Sequence, residues 1–396
     1  MTGEILFIAH RAPYPPDRGD RMRAWPVLRA LARLAPTHLA CFADGRAEVD
    51  ALGPILPLLA SAYVEQRAPA GAMTALRAIG GGRPVSLTAF ESPSFAAHVK
   101  GLLSERDITH IYVFSGQMAQ FVPAGRTFVM DFVDVDSAKF EAYGRSPFGW
   151  IYRREARLLA GWEAEVAARA DRSLFVSDAE AALFRARSGQ GDRVETLANG
   201  VDTDRYDPGF PAEAVAGRGP LIAFTGQMDY RPNVEAVIRF ARDTLPLIRA
   251  RRPDARFAIV GRAPTAAVRA LARQTGVIVT GEVPDIRPWL AAANIIVAPL
   301  GLARGVQNKL LEAMAMARPV VASPAAVEGI DAIVGEEIVI ADGAPAEAAA
   351  ILSLIADPAR ASAIGAAARA RMLGDYGWST RLAALPALLG RESVPA

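Results

Sequence analysis

The chain has 396 residues, of which 52% are hydrophobic and 22% charged, and its formal net charge is +2. This length is too great for one ordinary hydrophobic core and predicts two domains. The near-neutral charge is shared evenly by the two halves of the chain, which argues against a nucleic-acid partner. The alanine-rich composition is typical of a globular protein, and we expect disorder only at the C-terminal tail.

The N-terminal sequence MTGEILFIAH is typical of a first β-strand rather than a signal peptide, and we expect the mature protein to start there. The longest apolar stretch, which begins at Trp289, is interrupted by Asn294 and Pro299 and is too short to span a bilayer. The single cysteine, Cys41, excludes an internal disulfide and is predicted to be a buried structural thiol. These features together predict a cytoplasmic protein.

Short apolar runs rich in β-branched and aromatic residues alternate with longer alanine-rich stretches. Before residue 200 these runs predict strands at ILFIAH, THLACFA, SAYVEQ, HIYVF, TFVMDFVD, SLFVS and VETLAN. After a polar segment that begins at Asp207, a second series follows with LIAFTG, RFAIVG, VIVTG, NIIVAPL, PVVASP and IVIAD. Uniformly apolar strands separated by helix-length segments are typical of parallel sheets covered on both faces. The sequence therefore predicts an α/β protein with two doubly wound, Rossmann-like domains facing a cleft.

Ligands of open α/β sheets bind beyond the carboxyl ends of the strands. Glycines and arginines follow three of the predicted strands at these positions, in HRAPYPPDRGDR, GQMDYRPN and GRAP. His10 directly follows the first strand and is a candidate for a functional role. We interpret all three segments as candidate ligand loops.

The most informative segment is RGVQNKLLEAMAM, from Arg304 to Met316. Its spacing predicts a helix with one apolar face and with Asn308, Lys309 and Glu312 on the opposite side. A helix start preceded by a glycine offers backbone N–H groups and the positive end of the helix dipole to a diphosphate. Lys309 would add a positive charge there, and Glu312 would accept hydrogen bonds from ribose hydroxyls. Spacing alone favours the simpler alternative, a solvated Glu–Lys pair.

The sequence GVQNKLLEAMAMARPVVAS, preceded by GEVPDIRPWLAAANIIVAPL, resembles the donor-site stretch of the family-four retaining glycosyltransferases, which have the GT-B fold. Within that family it is most similar to the sugar transferases associated with exosortase and PEP-CTERM exopolysaccharide systems. The resemblance extends through FTGQMDYRPNVEAV, NGVDTDRY, DFVDVDSAKFEAYG and RAPYPPDRGDRMR, and so covers both halves. With these segments in the same order, it outweighs the interpretation as a solvated surface pair.

The resemblance implies a nucleotide-diphosphate sugar held mainly by the second domain. Glu282 and Val283 would lie near the base, Glu312 at the ribose, and the helix start at 305–309 at the diphosphate. Gly19 would let a loop of the first domain approach the phosphates. The donor-binding candidates are Gly19, Gly226, Gln227, Arg231, Arg262, Glu282, Val283, Arg304, Gly305, Val306, Gln307, Asn308, Lys309 and Glu312.

Two positions depart from the family pattern. Arg304 stands eight residues before Glu312, where the family usually has a glutamate that touches the donor sugar. Gln227 stands directly after Gly226, where the family commonly has an arginine. The missing positive charge would then come from Arg231, Arg262 or Arg304. Arg304 could instead pair with an anionic group of the donor or acceptor.

The acidic run DFVDVDS allows three interpretations. Asp134 and Asp136 form a DxD pair, which in the other common glycosyltransferase fold holds a divalent metal. We prefer a position facing the donor sugar, where the family often has a histidine, and favour Asp134 for it. Simple helix capping by Asp136 or Ser137 is the third interpretation. The catalytic candidates are thus Asp134, Lys309 and Glu312, and the candidates for sugar or acceptor contacts are His10, Asp20, Asp131 and Asp136.

The resemblance also assigns the domains. We place an acceptor-side domain at 1–206, a nucleotide-sugar-binding domain at 216–375, and a C-terminal helix at 376–396 that crosses back to the first domain. We expect no cofactor and no metal ion, with the donor as substrate and a glycan or polyprenyl-linked sugar as acceptor. The amphipathic stretch from Trp150 is interpreted as a surface helix, with peripheral contact to the inner face of a membrane as an alternative.

Retention at the anomeric carbon through an oxocarbenium-like transition state is implied by the resemblance, and no pair of carboxylates supports a glycosidase scheme. Two alternative functions are compatible with the same sequence. One is a GT-B nucleotide-sugar epimerase, which would convert the donor without an acceptor. The other is a non-catalytic GT-B partner that binds a nucleotide sugar, an alternative left open by Arg304 and Gln227.

Overall fold

The computed structural model describes residues 3–17, 19–67, 71–144, 149–215, 217–303 and 306–390. The chain divides into two compact units. The first comprises Met1–Ala198 and Leu382–Ala396, and the second comprises Asn199–Arg381. Each unit is built on its own parallel sheet.

The unit boundaries differ from the predicted domain limits. Residues 199–206 belong to the second unit, because Val201 and Tyr206 lie in the hydrophobic core of that unit. The Val201 amide also donates to the Tyr376 carbonyl oxygen at 2.8 Å. At the other end, the described chain rejoins the first unit at Leu382 and forms a short helix at Leu385–Leu388, not one continuous helix from 376.

The described part of the first unit contains one sheet of seven parallel strands in the order β3-β2-β1-β4-β5-β6-β7. The strands are β1 (Glu4–Ala9), β2 (Thr37–Ala43), β3 (Ser61–Gln66), β4 (Ile108–Phe114), β5 (Val129–Val133), β6 (Arg172–Phe175) and β7 (Val194–Thr196). The helices are α1 (Gly19–Leu34), α2 (Arg46–Asp50), α3 (Ala72–Gly80), α4 (Val85–Thr88), α5 (Pro93–Glu105), α6 (Asp136–Tyr143), α7 (Gly149–Arg169) and α8 (Asp178–Ser188).

The described part of the second unit contains a sheet of six parallel strands in the order β10-β9-β8-β11-β12-β13. The strands are β8 (Leu221–Thr225), β9 (Arg256–Val260), β10 (Val277–Gly281), β11 (Ile295–Ala298), β12 (Val320–Ala322) and β13 (Val339–Ile340). The helices are α9 (Arg231–Arg239), α10 (Leu245–Arg251), α11 (Ala266–Ala270), α12 (Arg287–Ala292), α13 (Asn308–Ala315), α14 (Pro324–Val327), α15 (Ala344–Ala356), α16 (Pro358–Arg371) and α17 (Trp378–Arg381). The helix at Leu385–Leu388 is α18.

Both sheets are doubly wound, as predicted. In the first, Phe7 of β1 pairs with Leu39 of β2 on one side and with Tyr112 of β4 on the other. In the second, β8 lies between β9 and β11 in the same way. The strand order therefore reverses beside β1 and beside β8, and the carboxyl ends of these strands are where such sheets bind ligands. Each predicted apolar run forms a strand at its expected place, which confirms the fold class.

The core of the first unit is rich in aromatic rings. Phe42 stacks on Phe95 with a centroid distance of 4.5 Å, and Phe121 packs against Phe95 at the same distance. Cys41 is fully buried, as predicted, and burial raises the pKa of its thiol. In the described ranges, no single helix is long and apolar enough to span a membrane. The two helical segments Ala344–Ala356 and Pro358–Tyr376 reach that length and hydropathy only when taken together, and they are bent by 104° at the break between them.

Candidate functional site

Two glycines follow β8 and β9 at the carboxyl edge of the second sheet. Gly226 has φ 156° and Gly261 has φ 149°, which are conformations that favour glycine. A Cβ atom on Gly261 would lie 1.7 Å from the Gly226 carbonyl oxygen, and one on Gly226 would lie 2.8 Å from Asn233 Nδ2. Side chains are therefore excluded from both positions, so the two strand ends lie in close backbone contact here.

Lys309, the second residue of α13, reaches the same loop. Its Nζ donates to Asn233 Oδ1 at 2.6 Å and lies 4.3 Å from the centroid of the Phe224 ring, while Asn233 Nδ2 donates to the Gln227 carbonyl oxygen at 2.9 Å. Burial lowers the pKa of Lys309 to about 8, against an opposing effect of the Glu312 charge. A poorly hydrated ammonium beside a glycine loop is well suited to bind an anionic group.

A guanidinium also reaches this loop. Arg262 follows Gly261, and its Nη2 donates to Gln227 Oε1 at 3.0 Å. Positive charge thus lies beside the position where the family resemblance expects an arginine and the chain has Gln227. Arg231 is different, because its side chain is 86% exposed and pairs with Glu235 one turn along α9 at 2.7 Å.

Glu312 is buried, not solvated. Its Oε1 accepts a hydrogen bond from the Tyr206 hydroxyl at 3.0 Å. Burial raises the pKa of Glu312 to about 7, although the Tyr206 hydrogen bond and the charges of Arg205 and Lys309 lower it. The simple surface pair that spacing alone favours is therefore wrong, since Glu312 faces the interior of the second unit.

Tyr206 was not identified from the sequence as a site residue. It lies within NGVDTDRY, 106 residues before Glu312, and no local sequence pattern predicts the contact between the two. Arg369 of α16 fixes the backbone of this segment: its Nη1 donates to the carbonyl oxygens of Thr203 at 3.0 Å, Tyr206 at 2.6 Å and Ala315 at 2.6 Å. The Tyr206 hydroxyl is thereby held against the inner side of α13.

The helix of the donor motif begins at Asn308, with Gln307 in extended conformation at its N-cap. Val306 is half-buried and packs against the core of the second unit. Arg304 and Gly305 lie outside the described residues, so their predicted roles stay predictions. The start of α13 lies directly before Lys309, which places the positive end of a helix dipole next to its ammonium group.

The predicted base-binding residues follow the next strand of the same edge. Glu282 and Val283 come directly after Gly281, the last residue of β10. The side chain of Glu282 is exposed, whereas Val283 is half-buried against the core. The carboxyl ends of β8, β9 and β10 thus all carry predicted donor residues, and their contact with a donor stays a prediction.

The carboxyl end of β1 carries a polar cluster in the first unit. Asp20 Oδ2 lies 3.3 Å from His10 Nε2 and 2.8 Å from Arg11 Nη1. Burial raises the pKa of Asp20, but His10 and Arg11 together hold it well below its ordinary value. The His10 ring stacks on Phe114 at 5.9 Å. Gly19, at the first turn of α1, has open space around a Cβ position.

Asp131 is fully buried within the first unit. Arg23 binds it in a two-pronged contact, from Nε to Oδ2 at 2.8 Å and from Nη2 to Oδ1 at 3.0 Å, and the Tyr112 hydroxyl donates to Oδ2 at 2.7 Å. Both carboxylate oxygens are therefore engaged by the protein itself. This geometry favours a structural role for Asp131 over a sugar or acceptor contact, and Arg23 was not identified from the sequence.

Asp134 and Asp136 share one cation. Lys139 Nζ lies 2.7 Å from Asp134 Oδ2 and 3.2 Å from Asp136 Oδ1. Neither Asp136 nor Ser137 caps α6 in the manner we considered, since Glu163 accepts from both the amide and the hydroxyl of Ser137. No group of three or more histidine, cysteine, aspartate or glutamate side chains suited to a metal ion occurs in the described part of the chain.

Comparison with known proteins finds a family match within the second unit and several similar glycosyltransferases. Residues 219–357 match the family described as Glycosyl transferases group 1. The chain is 29% identical over 325 residues to the GDP-mannose-dependent alpha-(1-6)-phosphatidylinositol monomannoside mannosyltransferase of Mycolicibacterium smegmatis, covering 76% of this chain and 82% of that protein. It is 33% identical over 215 residues to the alpha-maltose-1-phosphate synthase of the same organism, covering 48% of this chain and 54% of the relative.

The structural comparison agrees with the sequence. The crystal structure of Anabaena HepE in complex with UDP and glucose superimposes with a TM-score of 0.67 at 15% identity, covering 98% of this chain and 99% of that one. At this identity the likeness shows the fold alone. The fold is therefore GT-B over the whole chain, and the chain is similar to glycosyltransferases of the group 1 family, whose model matches residues 219–357.

Proposed function

We propose that this enzyme transfers a sugar from a nucleotide-diphosphate donor to a glycan or lipid-linked acceptor, with retention at the anomeric carbon, in exopolysaccharide biosynthesis. The observation that carries the donor half of this proposal is the arrangement in the second unit. There the ammonium of Lys309, at the start of α13, lies beside the glycine loop that follows β8. The buried carboxylate of Glu312 lies one turn further along the same helix.

Each group has a chemical match in the donor. The diphosphate would lie against Gly226 and the start of α13, with Lys309 and Arg262 as its cations. Glu312 would accept hydrogen bonds from the two ribose hydroxyls through an ionised carboxylate, whose other partner is Tyr206. Glu282 and Val283 would border the base. Gln307 and Asn308 would contribute backbone groups from the helix start.

The chemical step requires charge stabilisation at the leaving group. As the bond from the anomeric carbon to the diphosphate breaks, negative charge grows on the phosphate oxygen, and Lys309 and the helix dipole would stabilise it. The burial that depresses the pKa of Lys309 also strengthens its interaction with that charge, since fewer water molecules screen it. Retention is proposed from the family resemblance.

The first unit would supply contacts for the sugar or acceptor. We place His10, Asp20 and Asp134 in this role, because His10 and Asp134 follow strand ends, Asp20 contacts His10, and all three side chains retain partial exposure. Asp131 is excluded from this part of the proposal by its burial with Arg23. Arg304 would act near the sugar, in the place of the usual family glutamate.

The setting of the reaction is proposed from resemblance as well. The Mycolicibacterium relative is named for transfer to a phosphatidylinositol monomannoside, so lipid-linked acceptors occur among similar proteins. The resemblance to exosortase-associated transferases favours a polyprenyl-linked acceptor in exopolysaccharide assembly. We place the enzyme in the cytoplasm, at the inner face of the membrane, where such an acceptor would be presented.

A donor screen tests the proposal. The full chain is heated with UDP-, GDP-, ADP- and TDP-sugars, and one class of donor is expected to raise the melting temperature, since a ligand at one hundred times its Kd stabilises by about 2.7 kcal/mol. Glu312→Ala and Lys309→Ala should abolish the shift, and Asp254→Asn, at an exposed pair with Arg252, should keep it. No shift with any donor would contradict the proposal, and conversion of donor without acceptor would favour an epimerase.

A further inference from the structure

A cavity of about 400 Å³ lies in the second unit, at the edge of the sheet where the strands begin. Pro220, Asn294 and Pro319 line it, and they directly precede β8, β11 and β12. Pro220 and Gly226 stand on either side of β8, so the cavity and the glycine loop are roughly 20 Å apart along this strand. The cavity is therefore separate from the proposed donor site.

Three arginines line this cavity, and its described lining contains no aspartate or glutamate. They are Arg218, Arg252 and Arg318. Arg252 pairs with Asp254, which is not part of the lining, with its Nε 3.3 Å from Oδ1. No carboxylate in the described part of the chain forms an ion pair with either of the other two arginines. The lining thus carries positive charge that the described residues do not neutralise.

Arg318 is the cation of this group that is best placed to hold an anion. Its Nη1 donates to the Ala293 carbonyl oxygen at 3.3 Å, whereas its Nε is buried and has no acceptor among the described residues. Burial lowers the pKa of Arg318, and no acidic group within the described ranges opposes this shift. A guanidinium stays protonated in proteins, so Arg318 is a half-buried cation whose counter-ion has to come from elsewhere.

The turn that carries Arg318 is fixed by backbone contacts. Ala317 has φ 52°, a left-handed conformation that is uncommon for a residue other than glycine. The amides of Ala317 and Arg318 donate to the carbonyl oxygens of Met314 and Ala313, each at 3.0 Å. Gly365 of α16 packs on the same turn, since a Cβ there would lie 2.1 Å from the Ala317 carbonyl oxygen. The backbone of Arg318 is thereby positioned before a ligand binds, which lowers the entropic cost of binding.

Aliphatic side chains form another part of the lining. Ile295, Leu354 and Ile355 contribute them, and Leu354 is 2% exposed. Sites for small molecules typically enclose roughly 300–1000 Å³ and combine an apolar surface with a few charged groups that fix the orientation of the ligand. This cavity has both features, and its concave shape fits a small molecule.

We propose that the cavity binds a small phosphate ester with an apolar body, its phosphate held by Arg318 and Arg218 and its body against Ile295 and Leu354. Guanidinium groups match phosphate oxygens in both geometry and charge, since their N–H groups donate in parallel pairs. The site is distinct from Lys309 and the glycine loop, so this inference goes beyond the proposed function and does not depend on it.

Calorimetric titration of the full chain with phenyl phosphate tests the proposal, because this probe joins one phosphate to an apolar ring. We expect saturable binding, weaker binding of inorganic phosphate, and no binding of benzyl alcohol, which lacks the phosphate. Arg318→Gln should weaken the binding of phenyl phosphate at least about tenfold, the loss expected for one charge-assisted hydrogen bond. Arg218→Gln, at an exposed position, should also weaken it.

Two variants serve as controls. Arg273→Gln removes an exposed arginine of the same unit that does not line the cavity, and it should bind phenyl phosphate as the wild type does. Lys309→Met removes the cation of the proposed donor site and should also leave this binding unchanged. The thermal unfolding transition of each variant verifies its fold, and Arg218→Gln provides the test if Arg318→Gln does not fold.

Three results would overturn the proposal. The first is no saturable binding of phenyl phosphate to the wild type. The second is an equal loss in Arg318→Gln and Arg273→Gln, which would indicate non-specific attraction to arginine. The third is a loss in Lys309→Met alone, which would place the phosphate in the proposed donor site. Donor binding is titrated separately, and its failure would leave the phenyl phosphate result unaffected.

Discussion

The carboxyl edges of the two sheets carry similar polar residues in opposite electrostatic states. At the end of β5, the carboxylate of Asp131 is matched by Arg23, and Asp134 and Asp136 are matched by Lys139. Beside β8, Lys309 is held by a neutral amide and Glu312 by a neutral hydroxyl. In the first arrangement each carboxylate contacts a cation of the protein, whereas Lys309 and Glu312 make their described hydrogen bonds with neutral groups.

The difference shows in the pKa values. Burial moves the pKa of Lys309 down to about 8 and that of Glu312 up to about 7, so each group is driven toward its neutral form. Lys139 is shifted the other way: burial lowers its pKa, but the two aspartates raise it by more. Groups that the protein leaves electrostatically incomplete are the stronger candidates for binding.

The largest effect expected from this contrast is on stability. Asp131→Asn would leave the buried Arg23 charge without its partner, and we expect a loss of about 3–5 kcal/mol in the free energy of unfolding. Urea denaturation measures it, with Asp254→Asn at an exposed pair as the control, which should show no measurable change. A small effect of Asp131→Asn on the free energy of unfolding would mean that the Arg23–Asp131 pair stabilises the fold no more than the groups beside β8 do.

Lys309→Met tests the role of the groups beside β8. The variant keeps an unbranched side chain beside Phe224 but removes the ammonium, which lies 4.3 Å from the ring centroid, and with it the charge at the proposed phosphate position. We expect kcat/KM to fall by roughly 100- to 1000-fold, as when one group that stabilises the transition state is removed. Steady-state kinetics measures this effect beside Asp134→Asn, for which we expect a smaller loss. If kcat/KM fell equally in Lys309→Met and Asp134→Asn, the proposed difference between the edges of the two sheets would be wrong.

Gly261→Ala tests whether the glycine loop is fixed by backbone contact. The new Cβ would meet the Gly226 carbonyl oxygen at 1.7 Å, so the two strand ends would have to separate. We expect a cost of about 2–3 kcal/mol in the free energy of unfolding and weaker donor binding. Gly19→Ala, where the space is open, should unfold as the wild type does. Thermal unfolding compares the two variants.

The smallest predicted effect is on pH dependence. The proposed donor site uses an ionised Glu312 and a protonated Lys309, so affinity should rise as pH passes about 7 and fall above about 8. Between pH 7.5 and 6 we expect roughly an eightfold loss, from the ionised fraction of a group with that pKa. Tyr206→Phe removes a hydrogen bond that lowers the pKa of Glu312, and should move the acidic limb to higher pH. Calorimetric titration at several pH values measures the donor affinity of the wild type and of Tyr206→Phe. Tyr376→Phe, which removes another buried hydroxyl, is the control.

Ionisation of Glu312 should also change the stability of the protein with pH when no ligand is present. Because the folded pKa of Glu312 lies above its value of 4.5 in an unfolded chain, its ionisation opposes folding. The contribution of this group to the free energy of unfolding therefore falls as pH rises from about 4.5 to about 7. Glu312→Gln should remove that slope, and an unchanged slope would contradict the assigned pKa shift.

The sequence was sufficient for the fold, and it singled out residues that the structure brings together beside β8, whose donor-binding role stays a prediction. Most strands are apolar runs, so local pattern located them, and Gly226 and Lys309 belong to motifs of adjacent residues. Tyr206 and Arg23 could not be found in this way, because their partners lie 106 and 108 residues away along the chain. The burial of Glu312 was missed for the same reason, since helical spacing places it on a polar side.

The three carbonyl contacts of Arg369 hold residues 203–206 within the second unit. A fragment excised at residue 216, beyond the segment, would leave Glu312 without its hydroxyl donor and Arg369 with only Ala315. One that starts at Asn199 would retain both, together with the Val201 contact to Tyr376. Residues 203–206, which the sequence assigns to the first domain, therefore belong by their bonds to the second unit and hold the Tyr206 hydroxyl against Glu312.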